Sequence, residues 1–227
     1  IRFPHPPKPT TRPPHFNPMK KTMPRCFFTF GLVPLLTAMV VIAPSAGWAQ
    51  PSPSDIVTAF HQSLLGVMKE AKTLGVKGRF EKLASPLKQN FHFQLMTKVA
   101  TGSYWRKSGP AQIDRLVDAF TRLSISTYAS RFDGYSGQSF ETESEKPGPQ
   151  KTILVKTRII DPGFDPVDLT YVTHKIKGEW RIIDVLLDAG ISELAVRRSE
   201  YRRVLKTGGV DGLIETLNRK ADQLLNP

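Results

Sequence analysis

Three neighbouring stretches decide the fold: Ile153-Leu154-Val155-Lys156-Thr157-Arg158-Ile159, Val167-Asp168-Leu169-Thr170-Tyr171-Val172-Thr173-His174 and Trp180-Arg181-Ile182-Ile183-Asp184-Val185-Leu186-Leu187. In the first two, apolar and polar residues alternate, the period of a half-buried strand. Asp161-Pro162-Gly163-Phe164-Asp165-Pro166 and Lys177-Gly178 are the turn residues between them. Short turns between adjacent strands give an antiparallel sheet. The third stretch is apolar on both phases, which predicts a central strand covered on both faces. Upstream, Phe140 alone marks a weak strand, and Glu145-Lys146-Pro147-Gly148-Pro149 reads as a turn.

On either side of this block the period is helical. Ser54 is placed to cap a helix with apolar positions Ile56, Phe60, Leu64, Val67, Met68 and Ala71, broken by Gly75 and Gly78. Phe80, Leu83 and Leu87 predict a short helix disturbed by Pro86, and Phe91 to Val99 a further apolar segment ending at Gly102-Ser103-Tyr104-Trp105. Pro110, with Ser108 or Gly109 as cap, opens the longest helix, with a stripe of Ile113, Leu116, Val117, Phe120 and Leu123, closed by Gly134 and Gly137. After Gly190, residues 191–205 and 210–225 read as two helices separated by Gly208-Gly209. Helices before and after one block of antiparallel strands make an α+β domain.

The amino-terminal fifth has a different character. Met19-Lys20-Lys21 begins a positive region, Phe27 to Ala43 is apolar, and Ala46-Gly47-Trp48-Ala49 is a small-residue exit before Gln50. That order reads as a signal peptide over 19–49. Residues 1–18, with seven prolines, read as a spurious or disordered extension, leaving 50–227 as a single domain. Cleavage after Ala49 predicts export to the periplasm, whereas a retained leader would tether the domain. The only Cys, Cys26, precedes Gln50, so the remainder has no thiol for disulfides, thiolate metal sites or thiol catalysis. Six of the 32 Lys and Arg, and none of the 20 acids, precede Gln50, so residues 50–227 carry a net +6. This moderate charge weakens a nucleic-acid reading and suits anionic membrane or an acidic partner.

Catalytic and metal motifs are weak. Ser85-Pro86-Leu87-Lys88 and Lys206-Thr207-Gly208 match two elements of penicillin-recognising enzymes, but the Ser-Asp-Asn element is missing and Lys206 ends a basic helix rather than lying on a strand. His61, His92 and His174 have no second His or Cys at ligand spacing. Asp161, Asp165 and Asp168 lack the Gly and distal Glu of a calcium loop. No metal and no cofactor is expected. Asp184, within an apolar strand, is a candidate general base for a pocket enzyme acting on an apolar substrate. The alternative is a structural ion pair, with Arg198 as its partner. The chain is read as a non-enzyme.

Two groups of motifs carry a resemblance. Phe91-His92-Phe93-Gln94-Leu95-Met96, Gly102-Ser103-Tyr104-Trp105-Arg106, Phe120 and Tyr128-Ala129 form the first. Asp165 to Tyr171, Gly178 to Val185, Gly190-Ile191-Ser192, Arg198-Ser199-Glu200-Tyr201 and Gly209 to Ile214 form the second. In this order and spacing they resemble the MlaC/Ttg2 family, periplasmic auxiliary components of lipid-transport ABC systems associated with toluene tolerance and outer-membrane lipid asymmetry. Many members read Asn-Tyr-Arg-Ser-Gln-Phe where this chain has Val196-Arg197-Arg198-Ser199-Glu200-Tyr201. The Arg-rich wording of residues 191–205 resembles the branch associated with hopanoid biosynthesis clusters. The resemblance implies helices packed on a twisted antiparallel sheet around an apolar lipid cavity. It also implies a shuttle carrying phospholipid or hopanoid between a membrane-bound ABC transporter complex and an outer-membrane partner.

Keeping such cargo dry needs enclosure. At ~0.8 kcal/mol per buried CH₂, two acyl chains represent on the order of 20 kcal/mol. Expected wall residues are Phe93, Met96, Phe120, Ile153, Val155, Leu169, Tyr171, Ile183 and Val185, with Tyr104 and Trp105 at the rim. Taken singly, an apolar residue at core spacing is more often plain core than wall. Arg198, in line with Leu194, Tyr201 and Leu205, is expected to point inward, and Arg202, Arg203 and Lys206 to face solvent.

Overall fold

A computed structural model describes residues 50–187 and 190–227. The expectations for residues 1–18 and 19–49 lie outside the described residues. Helix α1 (Pro53–Lys69) starts at a capping box that uses Ser52 rather than Ser54. Ser52 Oγ accepts from Asp55 N at 3.1 Å, and Asp55 Oδ2 accepts from Ser52 N at 2.7 Å. The Ser54 N–H instead donates to Glu145 Oε1 at 2.6 Å, tying the helix to the sheet.

The chain breaks at Glu70 and again at Gly75, whose φ of +60° suits glycine, whereas Gly78 stays helical. Helix α2 (Ala71–Asn90) therefore runs longer than its sequence suggests, with Pro86 inside it. Next come α3 (Phe93–Thr101), α4 (Ser103–Lys107) and α5 (Pro110–Arg131). Gly109 caps α5 with Pro110 in its first turn, as expected, but the helix ends at Arg131, before Gly134. His92 caps α3, its Nδ1 accepting from Leu95 N at 3.0 Å.

The sheet has five antiparallel strands in the order β1 (Ser139–Pro147), β2 (Ile153–Ile160), β3 (Val167–Ile176), β4 (Glu179–Leu187) and β5 (Ile191–Ser192). β1 is far longer than Phe140 alone suggested. It is a charged edge strand with little apolar content to betray it, and its pairing with β2 shifts at Glu143.

β4 is also corrected. It lies beside the two-residue β5, and β3 is the middle strand. Its unbroken apolar run has another cause. Tyr171 pairs with Val185 and Thr173 with Ile182, so Ile183 is an extra residue in a bulge. The bulge places Ile182 and Val185 on one face despite their odd spacing.

Helix α6 (Glu193–Leu225) kinks at Gly209, with φ +62°, where the sequence predicted a separation into two helices. Helix α5 runs along both halves of α6, meeting the first through Arg197 and Ser124 and the second through Arg115–Asp211 and Arg122–Asp222. The helices cover the sheet face that carries Val155, Leu169, Tyr171, Ile182 and Val185, making one continuous apolar core. Among the described residues, no helix is long and apolar enough to cross a membrane.

Candidate functional site: an apolar cavity with a charged mouth

A cavity of about 210 Å³ opens between the sheet and the helices. Its floor is the end of the sheet where β2 finishes, β3 begins and β4 finishes: Ile159, Val167, Leu169, Tyr171, Val185 and Leu187. Antiparallel pairing brings these residues together, with Val167 opposite Ile159 and Leu187 opposite Leu169. The roof is Phe91, Phe93 and Met96 around the start of α3, Tyr128 and Phe132 from the end of α5, and Leu194 from α6.

Of the expected wall residues, Phe93, Met96, Leu169, Tyr171 and Val185 line this cavity. Phe120 and Val155 are fully buried in the core beside it. Ile153 and Ile183 are half-buried and do not line it. Tyr104 and Trp105 do not rim it either. Tyr104 borders a separate hollow of about 160 Å³ with Arg198 and Arg202. The sequence reading missed Phe132, Val167, Leu187 and Leu194, which register at one sheet end could have suggested once the strands were paired.

Tyr171 is fixed from behind. Its hydroxyl lies 2.9 Å from His61 Nε2, and the His61 ring stacks on Phe140 at 4.1 Å. Burial pushes the His61 pKa down to about 4, so the imidazole is neutral at pH 7, and it raises that of the Tyr171 phenol. Phe60 stands edge-on to Phe91, Tyr128 and Tyr171, so the cavity wall rests on a mutually packed aromatic layer.

The mouth is polar and charged. Thr127 and Arg131 from α5, and Glu193 and Arg197 from α6, border both the cavity and an open groove of about 440 Å³ between the two helices. Arg197 is the inward arginine, and Arg198 is exposed, contrary to expectation. The two flank the Leu194–Tyr201 seam on opposite sides. Arg197 turns to α5, donating to Ser124 Oγ at 3.2 Å with its guanidinium 5.2 Å from the Phe120 ring centre. Arg198 turns to the α3–α4 corner, near Gly102. Tyr201, in the groove wall, is 4% exposed and its hydroxyl has no hydrogen-bond partner. Such an unmet group costs ~1–3 kcal/mol. Exposed apolar residues surround the same end of the domain: Phe164, Val167, Ile191 and Val196.

Asp184 does not pair with Arg198. Its Oδ1 accepts from Val185 N at 2.8 Å and Leu194 N at 3.1 Å, and its Oδ2 accepts from Ser192 Oγ at 2.5 Å. Ser192 Oγ in turn accepts from Ala195 N at 3.0 Å as the cap of α6. The carboxylate thus holds the start of α6 against β4 and does not line the cavity. Ser85 lies in α2 and Lys206 in α6, so the second penicillin-type element is helical, not on a strand. Among the described residues, no three His, Cys, Asp or Glu side chains are grouped to hold a metal.

Known proteins resemble this chain in sequence and fold. The intermembrane phospholipid transport system binding protein MlaC of Haemophilus influenzae is 30% identical over 126 residues, 54% of this chain and 58% of that protein. The match therefore spans less than two thirds of that relative. Toluene tolerance protein ttg2D of Pseudomonas putida is 23% identical over 185 residues, covering 80% of this chain and 84% of that one. A phospholipid-binding protein from Ralstonia solanacearum, solved in complex with a phospholipid, superposes with a TM-score of 0.66 at 22% identity. That likeness covers 74% of this chain and 96% of the other, and it shows a common fold. Residues 58–219, which include every residue lining the cavity, match the MlaC protein family, and the chain belongs to it.

Proposed function

We propose that this chain is a periplasmic lipid-binding protein that carries phospholipid between membrane complexes of an ABC-type transport system. The observation that carries the reading is the apolar cavity, walled by aromatic and aliphatic side chains, that opens through a charged mouth at the end of the domain. An amphiphile with buried chains and a solvated head matches that gradient. The exposed Phe164, Val167, Ile191 and Val196 beside the mouth give the chains a partly dry path in and out. The names of the relatives support phospholipid as cargo. They lend no support to a hopanoid.

The cavity is small for such cargo. At about 210 Å³ it is a fraction of the space that two acyl chains fill. Loading two chains widens the gap between the helices and the sheet. The stretch around Gly209 and the short α3–α4 corner are where the helical layer is least continuous.

Transfer of a labelled phospholipid from donor to acceptor vesicles kept apart by a membrane permeable only to protein tests the reading. Wild type should accelerate transfer, and Leu169→Trp, which fills the cavity, should cut the rate by about tenfold with folding intact. Equal rates with and without wild-type protein would refute it. The enzyme alternative based on Asp184 is disfavoured because its carboxylate is committed to Ser192 and two backbone N–H groups.

A further inference from the structure

The groove between α5 and α6 is larger than the cavity it joins, and their shared boundary carries two arginines. Among the described residues, neither Arg131 nor Arg197 is in ion-pair contact with a carboxylate, and Arg197 donates to Ser124 and lies beside the Tyr201 hydroxyl. A guanidinium has five N–H donors in a planar fork suited to phosphate oxygens, so most of this capacity is unspent. Against the upward push of burial and of Glu193, Arg197 and more weakly Arg131 pull the ionisation of the buried Tyr128 phenol down, so all three charges are felt at the cavity roof.

The acids in the groove leave that charge in place. Glu200 is 3.9 Å from Lys220, which leaves Glu193 as the one groove carboxylate facing two arginines. Beyond them, Ser130 and Gln223 supply neutral hydrogen-bonding groups along the groove wall.

We propose that Arg131 and Arg197 together hold the phosphate of the bound lipid at the junction of cavity and groove, with the rest of the head group lying in the groove. This rests on the lipid-carrier reading and adds that the protein reads the phosphate as well as the chains. A phosphodiester monoanion at the mouth they both border offsets the two positive charges and can accept from both. A neutral lipid with the same chains leaves both unmet.

Uptake of labelled phosphatidylglycerol and of labelled diacylglycerol with identical chains, each as a tracer in phosphatidylcholine vesicles, separates these ideas. Wild type should prefer phosphatidylglycerol by about tenfold, ~1.4 kcal/mol. Arg131→Gln, at an exposed position, should reduce the preference, and Arg131→Gln with Arg197→Gln should bring it near unity, chiefly through lower phosphatidylglycerol uptake. An unaltered preference in Arg131→Gln, or equal loss of both lipids in a folded double variant, overturns the phosphate site while leaving the carrier intact. Inorganic phosphate binding to wild type without competing against phosphatidylglycerol assigns the arginines to a free anion and overturns the lipid version. Failure of wild type to take up either lipid defeats the carrier reading itself.

Discussion

His61 carries a pH signature that its neighbours make readable. Its pKa in the folded chain is pushed down to about 4 by burial, from an ordinary 6.5. Below 6.5 the unfolded chain therefore binds a proton that the folded chain refuses until about pH 4. Its contribution to stability is intact above about 6.5 and lost as pH falls through that window. At ~1.4 kcal/mol per unit the loss approaches ~3 kcal/mol. Urea unfolding at pH 7, 5.5 and 4 should show that slope in wild type and a much shallower one in His61→Gln. Equal slopes would place the acid sensitivity elsewhere. Helical phase could not decide at this scale between Arg197 and Arg198. Both border the stripe of Leu194, Tyr201 and Leu205, and only the position of α5 selects the former.

At the scale of elements, Arg79 joins what Gly75 separates. It is 7% exposed, and it donates to Ala129 O near the end of α5 at 2.7 Å and to Ala71 O at 3.0 Å, bridging the kink in α2. A cation at a helix carboxyl end also meets the dipole favourably. Arg79→Met should cost about 3 kcal/mol, since it leaves two carbonyls without partners. Arg79→Lys should recover little, since one ammonium does not match the guanidinium fork. A thermal melt in which Arg79→Lys equals wild type would contradict this. The helices and strands β2 to β4 were legible because their apolar residues recur at their element's period. β1 was not, because its residues are mostly polar or charged and exposed, and only pairing with β2 reveals it. Nor was the bulge at Ile183, since an inserted residue turns an alternating strand into an apparently continuous apolar run.

Across the whole molecule, the α+β class and the helices-on-sheet arrangement followed from the order of periods, and the family from motif order. The position of the cavity did not. Core and wall residues obey the same burial rule, so Val155 and Leu169 look alike in sequence, yet only Leu169 lies at the sheet end where the cavity opens. Wall residues come from three helices and three strands, and no local pattern encodes that meeting. The same geometry makes one end of the domain serve as mouth, apolar lip and charged groove. The central claim is that this end admits a phospholipid, and native mass spectrometry of the full chain, expressed in bacteria and purified without detergent, tests it most directly. The account predicts an added mass equal to phospholipid, lost on solvent extraction and regained after incubation with phospholipid vesicles. A bare polypeptide mass before and after that incubation would contradict it.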